Sequence, residues 1–231
     1  GNLYVMVGAP SNACQEQDRQ KGSPGQDPCP LLERQASVWR FDAATPGQTQ
    51  MADGYQYATG IRHIVALKWN DAVNALYAVQ HGRDQLHYLY PDLYTEQESA
   101  QLPAEEFLLI RDGDNFGWPY CYYDQLQGKK VLAPEYGGDG DEVGRCADAK
   151  DPIMGFPGHW APNDLLFYRG EQFPEEYRGG AFVAFHGSWN RAPLEQEGYN
   201  VVFVPFDGEM PSGDWRVFAD NFAGIDPEES P

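Results

Sequence analysis

No stretch of the 231 residues is apolar for the length that a membrane crossing needs, and no long segment carries helical spacing. Basic residues are scarce. Lys and Arg number 16 against 35 Asp and Glu, a formal charge of −19. Such a surface repels phosphate backbones and anionic lipid, which argues against nucleic acid and membranes as partners. A neutral or cationic small molecule, or a divalent cation, suits it better, although acidity also serves solubility. Cysteine is scarce too, at four residues. None has C-x-x-C spacing and no histidine lies near the first two, which argues against zinc. No charged-then-apolar leader precedes Leu3, so an export signal is expected outside this sequence.

Glycine (25) and proline (18) are abundant, and aromatics make up 14% of the chain. These are the ingredients of turn-rich β-structure with a well-packed core, and the length suits one large all-β domain over residues 1–231. The cysteines fall as two local couples, Cys14 with Cys29 and Cys121 with Cys146, each bracketing a polar, Gly/Pro/Asp-rich loop. Four cysteines allow three connectivities. The local one is expected here, each bridge stabilising by roughly 3 kcal/mol through chain entropy. It implies an oxidising compartment, periplasmic or extracellular, for a secreted protein.

The chain is organised around Asp112-Gly113-Asp114-Asn115-Phe116-Gly117-Trp118-Pro119-Tyr120-Cys121. An apolar run, Phe107-Leu108-Leu109-Ile110, leads into it. Asp-Gly and Asn supply turn chemistry, and Gly117 lets large aromatics lie close to the backbone. Further strands are expected at residues 1–8, 37–42, 64–69, 75–79, 165–168, 180–187, 198–208 and 215–218, with a terminal turn at 226–231. Residues 9–34, 83–103 and 122–151 read as loops or insertions. Three segments repeat an apolar strand closing on glycine: Leu3-Tyr4-Val5-Met6-Val7-Gly8, Leu76-Tyr77-Ala78-Val79-Gln80-His81-Gly82 and Ala181-Phe182-Val183-Ala184-Phe185-His186-Gly187. Irregularly spaced repeats of this kind describe a β-propeller, whose blades point one end at a central channel. A β-sandwich shares the periodicity.

If equivalent strand ends line an axis, Arg62-His63, His81-Gly82-Arg83-Asp84, His159-Trp160 and His186 with Trp189-Asn190-Arg191 gather on one face. That assembles arginines for a polyanion, carbonyls at glycine turns for a hard cation, imidazoles for proton work and tryptophans for a planar ring or sugar. His87 reads as a surface residue. Asp139 and Asp141 lack the D-x-[DN]-x-[DN]-G pattern of a calcium loop and read as solvated.

His81-Gly82-Arg83-Asp84-Gln85-Leu86, Glu105-Glu106, the stretch from Gly113 to Cys121, His159-Trp160-Ala161-Pro162 and Phe185-His186-Gly187-Ser188-Trp189-Asn190-Arg191 together resemble the soluble quinoprotein sugar dehydrogenases. The similarity is to the L-sorbosone and pyranose dehydrogenase branch, and it covers essentially the whole chain. It implies a six-bladed propeller with pyrroloquinoline quinone (PQQ) on its axis and Ca²⁺ holding it. Carried over residue by residue, Arg62, His63, His81, His159, His186 and Arg191 are expected to bind the cofactor. Gly82 and Arg83 are expected to offer backbone carbonyls to Ca²⁺, and Trp160 and Trp189 to border the sugar pocket. The family's catalytic histidine is expected ahead of Gly1, with flanking blades at both ends.

The activity so implied is oxidation of a sugar or sugar-aldehyde by hydride transfer to the quinone, with a cytochrome or quinone as electron acceptor. Two rivals carry different chemistry. One is a non-catalytic propeller binding a carbohydrate or protein partner. The other is a Ca²⁺-dependent lactonase-type hydrolase, which needs a Glu/Asn/Asp set on successive strand ends that the sequence does not display.

Overall fold

The computed structural model describes residues 1–223, and the turn expected at 226–231 lies outside them. Three antiparallel sheets follow one another along the chain. The first runs β1 (Asn2–Val7), β2 (Ser37–Asp42), β3 (Tyr55–Thr59). The second begins with β4 (Ile64–Asn70), β5 (Ala75–Gln80) and β6 (Glu105–Ile110). A separate hairpin, β7 (Cys121–Asp124) with β8 (Lys129–Leu132), intervenes before β9 (Met154–Phe156) closes that sheet. The third comprises β10 (Pro162–Phe167), β11 (Ala181–Phe185) and β12 (Asn200–Val204). The short pair β13 (Phe206–Asp207) and β14 (Met210–Pro211) precedes its last strand, β15 (Arg216–Ala219).

The middle sheet explains why β5 has no polar face. Side chains alternate across a strand, and all six residues of β5 are buried. Ala75, Tyr77 and Val79 pack with Phe107, Phe156, Leu165 and Phe167 toward the third sheet. Leu76 and Ala78 pack with Val38, Ala58, Leu108 and Phe116 toward the first. Tyr77 meets Phe167 at 4.8 Å between ring centroids and Phe156 meets Phe185 at 5.0 Å, fixing the second sheet against the third. Each such side chain removed from water is worth about 1.5–3 kcal/mol.

Two of the three repeat copies read from the sequence lie at equivalent positions, while the first, β1, is the edge strand of its sheet. β5 and β11 are each the second strand of a four-stranded meander. Their partners also share an irregularity, because β4 slips register between Ile64 and Ala66 and β10 between Pro162 and Asp164. A bulge at that point re-aims the residues before the strand.

The aromatic stretch is a clasp between the first and second sheets. Thr59 N donates to Asp114 O (2.9 Å), Phe116 N to Thr59 O (3.0 Å) and Trp118 N to Gly60 O (3.0 Å). The chains touch so closely that a Cβ on Gly60 would lie 2.3 Å from Asn115 Oδ1 and 2.5 Å from Gly117 N, and φ there is +70°. Only glycine fits. Phe116 enters the core, and Trp118 Nε1 donates to Asn12 O at 3.0 Å, bringing the first loop to the clasp.

Two readings need correction. Residues 122–151 are not a plain insertion, since they contain most of the β7–β8 hairpin. Its four-residue strands are too short for periodicity to reveal. Residues 83–103 hold two short helices, Leu86–Leu89 and Glu96–Gln101, the second started by a Thr95/Glu98 capping box.

Both local disulfides are present, Cys14–Cys29 and Cys121–Cys146. Two buried ion pairs tie the hairpin region to the second sheet: Lys130 with Glu106 at 2.7 Å, and Arg83 with Glu135. Removing one member of such a pair strands the other charge, at about 3–5 kcal/mol. Arg83→Ala in the full-length protein is therefore expected to lower stability by that amount in denaturant titration. The apolar double change Arg83→Met with Glu135→Leu should recover most of it. Cys121→Ala with Cys146→Ala should cost about 3 kcal/mol in the same titration, and non-reducing peptide mapping should recover the two local bridges.

Candidate functional site

In an antiparallel meander the start of one strand and the end of the next lie at the same end of the sheet. Ile64 pairs with Gln80, and Pro162 with Phe185. The segments ahead of β4 and β10 therefore meet those after β5 and β11. There they line an open cleft of about 400 Å³, with Ala9 after β1, Arg62, His63, His81, Gly82, Asp84, Glu105, His159 and Asn190 on its walls. The rim is laced together. Ala9 N donates to Arg62 O at 2.8 Å and His81 N to His63 O at 2.9 Å. His81 Nε2 meets Pro162 O at 2.8 Å, joining the second sheet to the third.

Asp84 is the electrostatic centre of the cleft. Its Oδ2 accepts from Arg19 Nη2 at 2.7 Å and from Arg62 Nη2 at 3.3 Å. Its Oδ1 accepts from Asn190 Nδ2 at 3.0 Å, with His159 Nδ1 at 3.6 Å. Asn12 holds the Asp84 backbone, accepting from its N at 2.8 Å and donating to its O at 2.9 Å. Burial works against the charge, but His159, Arg62 and Arg19 outweigh it and hold this carboxyl well below the usual range. His159 is affected reciprocally: burial opposes its protonation, yet Asp84 and Glu105 raise its pKa.

The neighbouring groups respond to burial alone more strongly. It pushes Glu105 up to about 7, although the carboxylate accepts from Gly82 N (2.9 Å) and Ala161 N (3.2 Å). Burial pushes His81 down to about 4. A carbonyl can only accept, so neutral His81 donates from Nε2 to Pro162 and keeps Nδ1 as a proton acceptor. Arg62 places Nη1 2.6 Å from Gly82 O, while its buried Nε has no partner. The cleft thus combines an oxygen-rich donor set (Gly82 O, Asp84, Glu105) with a guanidinium that retains an unused donor. Among the described residues no three His, Cys, Asp or Glu side chains converge as a metal cluster, and no helix is long and apolar enough to cross a membrane.

Of the residues singled out by sequence, Arg62, His63, His81, Gly82 and His159 come together in the cleft. Others do not. Arg191 is buried with its donors spent inside the protein: Nη1 on Ala100 O (2.7 Å) and Gly158 O (3.3 Å), Nε on Glu195 O (3.1 Å), Nη2 on Glu197 (3.0 Å). Trp160 packs in the core against Trp215 (5.2 Å) and Phe185 (5.4 Å). Trp189 stands 68% exposed over an adjoining groove. His186 is exposed beyond β11, its backbone N on Ala161 O at 3.1 Å. The Arg83 side chain turns inward to Glu135, so the residue cannot be treated as backbone alone. His87 is no free surface group, because its Nδ1 lies 2.6 Å from Tyr94 O. Asp139 and Asp141 are solvated, and Asp141 pairs with Lys129 at 2.5 Å.

The sequence reading passed over Asp84, Glu105 and Asn190 as site residues. All three stand inside quoted motifs, and for the two acids the available signal is their place beside apolar strand residues. The three line one cleft, but Asp84 and Asn190 reach it from segments beyond β5 and β11 rather than from successive strand ends.

Comparison with known proteins places this geometry. The TrAA12-like family model matches residues 30–217. A pyrroloquinoline quinone-dependent pyranose dehydrogenase of Coprinopsis cinerea is 29% identical over 178 residues, covering 69% of this chain and 22% of its own length. An uncharacterised protein of Borreliella burgdorferi is 29% identical over 153 residues, 66% of this chain and 35% of its own. Among solved structures, the holo form of the C. cinerea pyranose dehydrogenase PQQ domain superposes with TM-score 0.65 at 21% identity, over 95% of this chain and 53% of that one. The calcium structure of Trichoderma reesei Carbohydrate-Active Enzymes Family AA12 gives 0.63 at 20% identity, over 92% and 52%. The chain spans about half the length of these solved chains and a smaller share of the curated relatives. Since the family match runs from before β2 into β15 and takes in every segment of the cleft after Ala9, the chain belongs to the TrAA12-like family.

Proposed function

We propose that the three sheets are blades of one β-propeller domain, and that the cleft binds PQQ with Ca²⁺ for oxidation of a sugar or sugar-aldehyde. The observation that carries this reading is the pairing of opposite chemistries in one cleft, Gly82 O, Asp84 and Glu105 beside Arg62, His63 and His81. Hard oxygen donors suit Ca²⁺. A guanidinium with a free donor suits the carboxylates of PQQ. Family membership and the names of the pyranose dehydrogenase relatives support the same choice. The local disulfides support a periplasmic or secreted setting.

In this reading Gly82 O, with Asp84 and Glu105 behind it, would hold the cation, and Arg62 with His63 would meet the cofactor's acidic edge. When bound, PQQ with its Ca²⁺ supplies a two-electron acceptor polarised by a Lewis acid. The chain's own residues position and balance charge. Asp84 fixes Arg62, His159 and Asn190 relative to one another. His81, neutral and anchored at Nε2, offers Nδ1 to a hydroxyl at the cleft wall. The meeting of Asp84, Glu105 and Asn190 favours a hydrolytic reading as the alternative. Against it stand the C. cinerea relatives, which are named as PQQ-dependent pyranose dehydrogenases rather than hydrolases.

Titrating PQQ in calcium buffer against the full-length protein separates these readings. PQQ uptake with a quinone absorbance change on sugar addition is expected, and lactone hydrolysis without PQQ would overturn the proposal. Arg62→Ala should weaken PQQ binding at least tenfold, about 1.4 kcal/mol. Arg62→Lys should recover only part of that, because an ammonium lacks the planar fork. Equal affinities for the three proteins would remove Arg62 from the site. Asp84→Asn, which frees Arg62 and His159 from their shared anchor, should also cost at least tenfold; unchanged PQQ affinity would refute its positioning role.

A further inference from the structure

Next to the cleft, and sharing Asn190 with it, runs a larger groove of about 600 Å³. Two aromatic side chains stand over it almost bare, Trp189 at 68% and Tyr88 at 66% exposure. Among the described residues only Phe222, at 65%, is an aromatic as exposed as these two, and a pair of them over one groove calls for a reason. Both are carried by rigid turns. Tyr88 lies in the short helix Leu86–Leu89, whose Leu86 and Leu89 are buried. Trp189 opens the turn Trp189–Arg191, where Ser188 Oγ caps Asn190 N at 3.1 Å. Arg191 then ties that turn to the helix Glu96–Gln101 through Ala100 O. The rest of the lining mixes polar groups, among them Gln85, His87 and Glu96, with Pro91 and Pro193.

The geometry points to an oligosaccharide-binding groove, in which Trp189 and Tyr88 stack on further sugar units of a neutral glycan whose terminal unit enters the cleft. This rests on the sugar-oxidising role proposed for the cleft and deepens it by naming an extended substrate. Pyranose rings present an apolar C–H face bordered by hydroxyls, and an amphipathic aromatic with polar neighbours matches both features. Rigid aromatics also give contact area at little entropic cost. Nucleobases would stack on the same rings, but a chain of net charge −19 repels a phosphate backbone. The same charge disfavours acidic glycans.

Calorimetric titration of the full-length protein with maltohexaose, cellohexaose and xylohexaose, each against its monosaccharide, tests the assignment. At least one hexasaccharide should bind tenfold or more tighter than its monosaccharide. Trp189→Ala and Tyr88→Ala should each remove most of that advantage while leaving the melting temperature unchanged, as both side chains are exposed. Trp189→Phe should retain part of it. If no hexasaccharide outbinds its monosaccharide, or if the advantage survives the double alanine variant, the groove is not a glycan site. Repeating the titrations with PQQ and CaCl₂ keeps the two readings apart. A hexasaccharide advantage without PQQ uptake would sink the quinone assignment and leave the groove standing. PQQ uptake with no such advantage would remove the groove alone.

Discussion

Four segments far apart in sequence meet on the two carboxylate oxygens of Asp84: Arg19 from the first loop, Arg62 ahead of β4, His159 ahead of β10 and Asn190 beyond β11. A desolvated carboxylate without partners costs several kcal/mol, so each of these contacts is held in place by the need to satisfy it. The arrangement also couples its members. A change in where Arg62 points alters the field at His159, because both answer to the same charge. Asn12, clamping the Asp84 backbone, extends that dependence to the loop closed by Cys14–Cys29.

The fold makes such a meeting point available through two simple constraints. Strands of a meander return to the same end, and the middle sheet is apolar on both faces, so neighbouring sheets stack on it rather than facing water. Phe107 and Tyr77 on one face, Leu108 and Leu76 on the other, fix the spacing of the three sheets. The cleft lies at the end of those sheets where the segments around β4, β5, β10 and β11 meet, and its Asp84, Glu105 and His159 are buried there against one another and their hydrogen-bond partners.

Much of this is legible in the sequence. The alternation of Ser37-Val38-Trp39-Arg40-Phe41-Asp42 coincides with β2, and the glycine-closed repeat marks β1, β5 and β11. The disulfides follow from the couples of cysteines around polar loops. The cationic and imidazole members of the cleft stand out because such residues are rare in this chain. Asp84 and Glu105 stand out far less, since among 35 acids only their place beside apolar strand residues marks them until burial distinguishes them. Arg191 is misread for the complementary reason. A conspicuous arginine at a strand end looks available for a ligand, and only coordinates reveal that main-chain carbonyls have absorbed its donors. Likewise Trp160 and Trp189 are indistinguishable as letters, yet one is core and the other stands in solvent.

The Arg191 lock bears on how such a surface can diversify. Its guanidinium grips the backbone oxygens of Ala100, Gly158 and Glu195, and every amino acid supplies that oxygen. The side chain at 195 is therefore free to drift without loosening the turn, and so are those at 88 and 189, which face only water and the groove, whereas Ala100 must stay small because it is buried. A lineage could exchange aromatic for polar residues at the rim, one position at a time, while the scaffold beneath stays unchanged. The exposed rim and the buried scaffold draw on separate letters of the sequence here, and selection can act on one without disturbing the other.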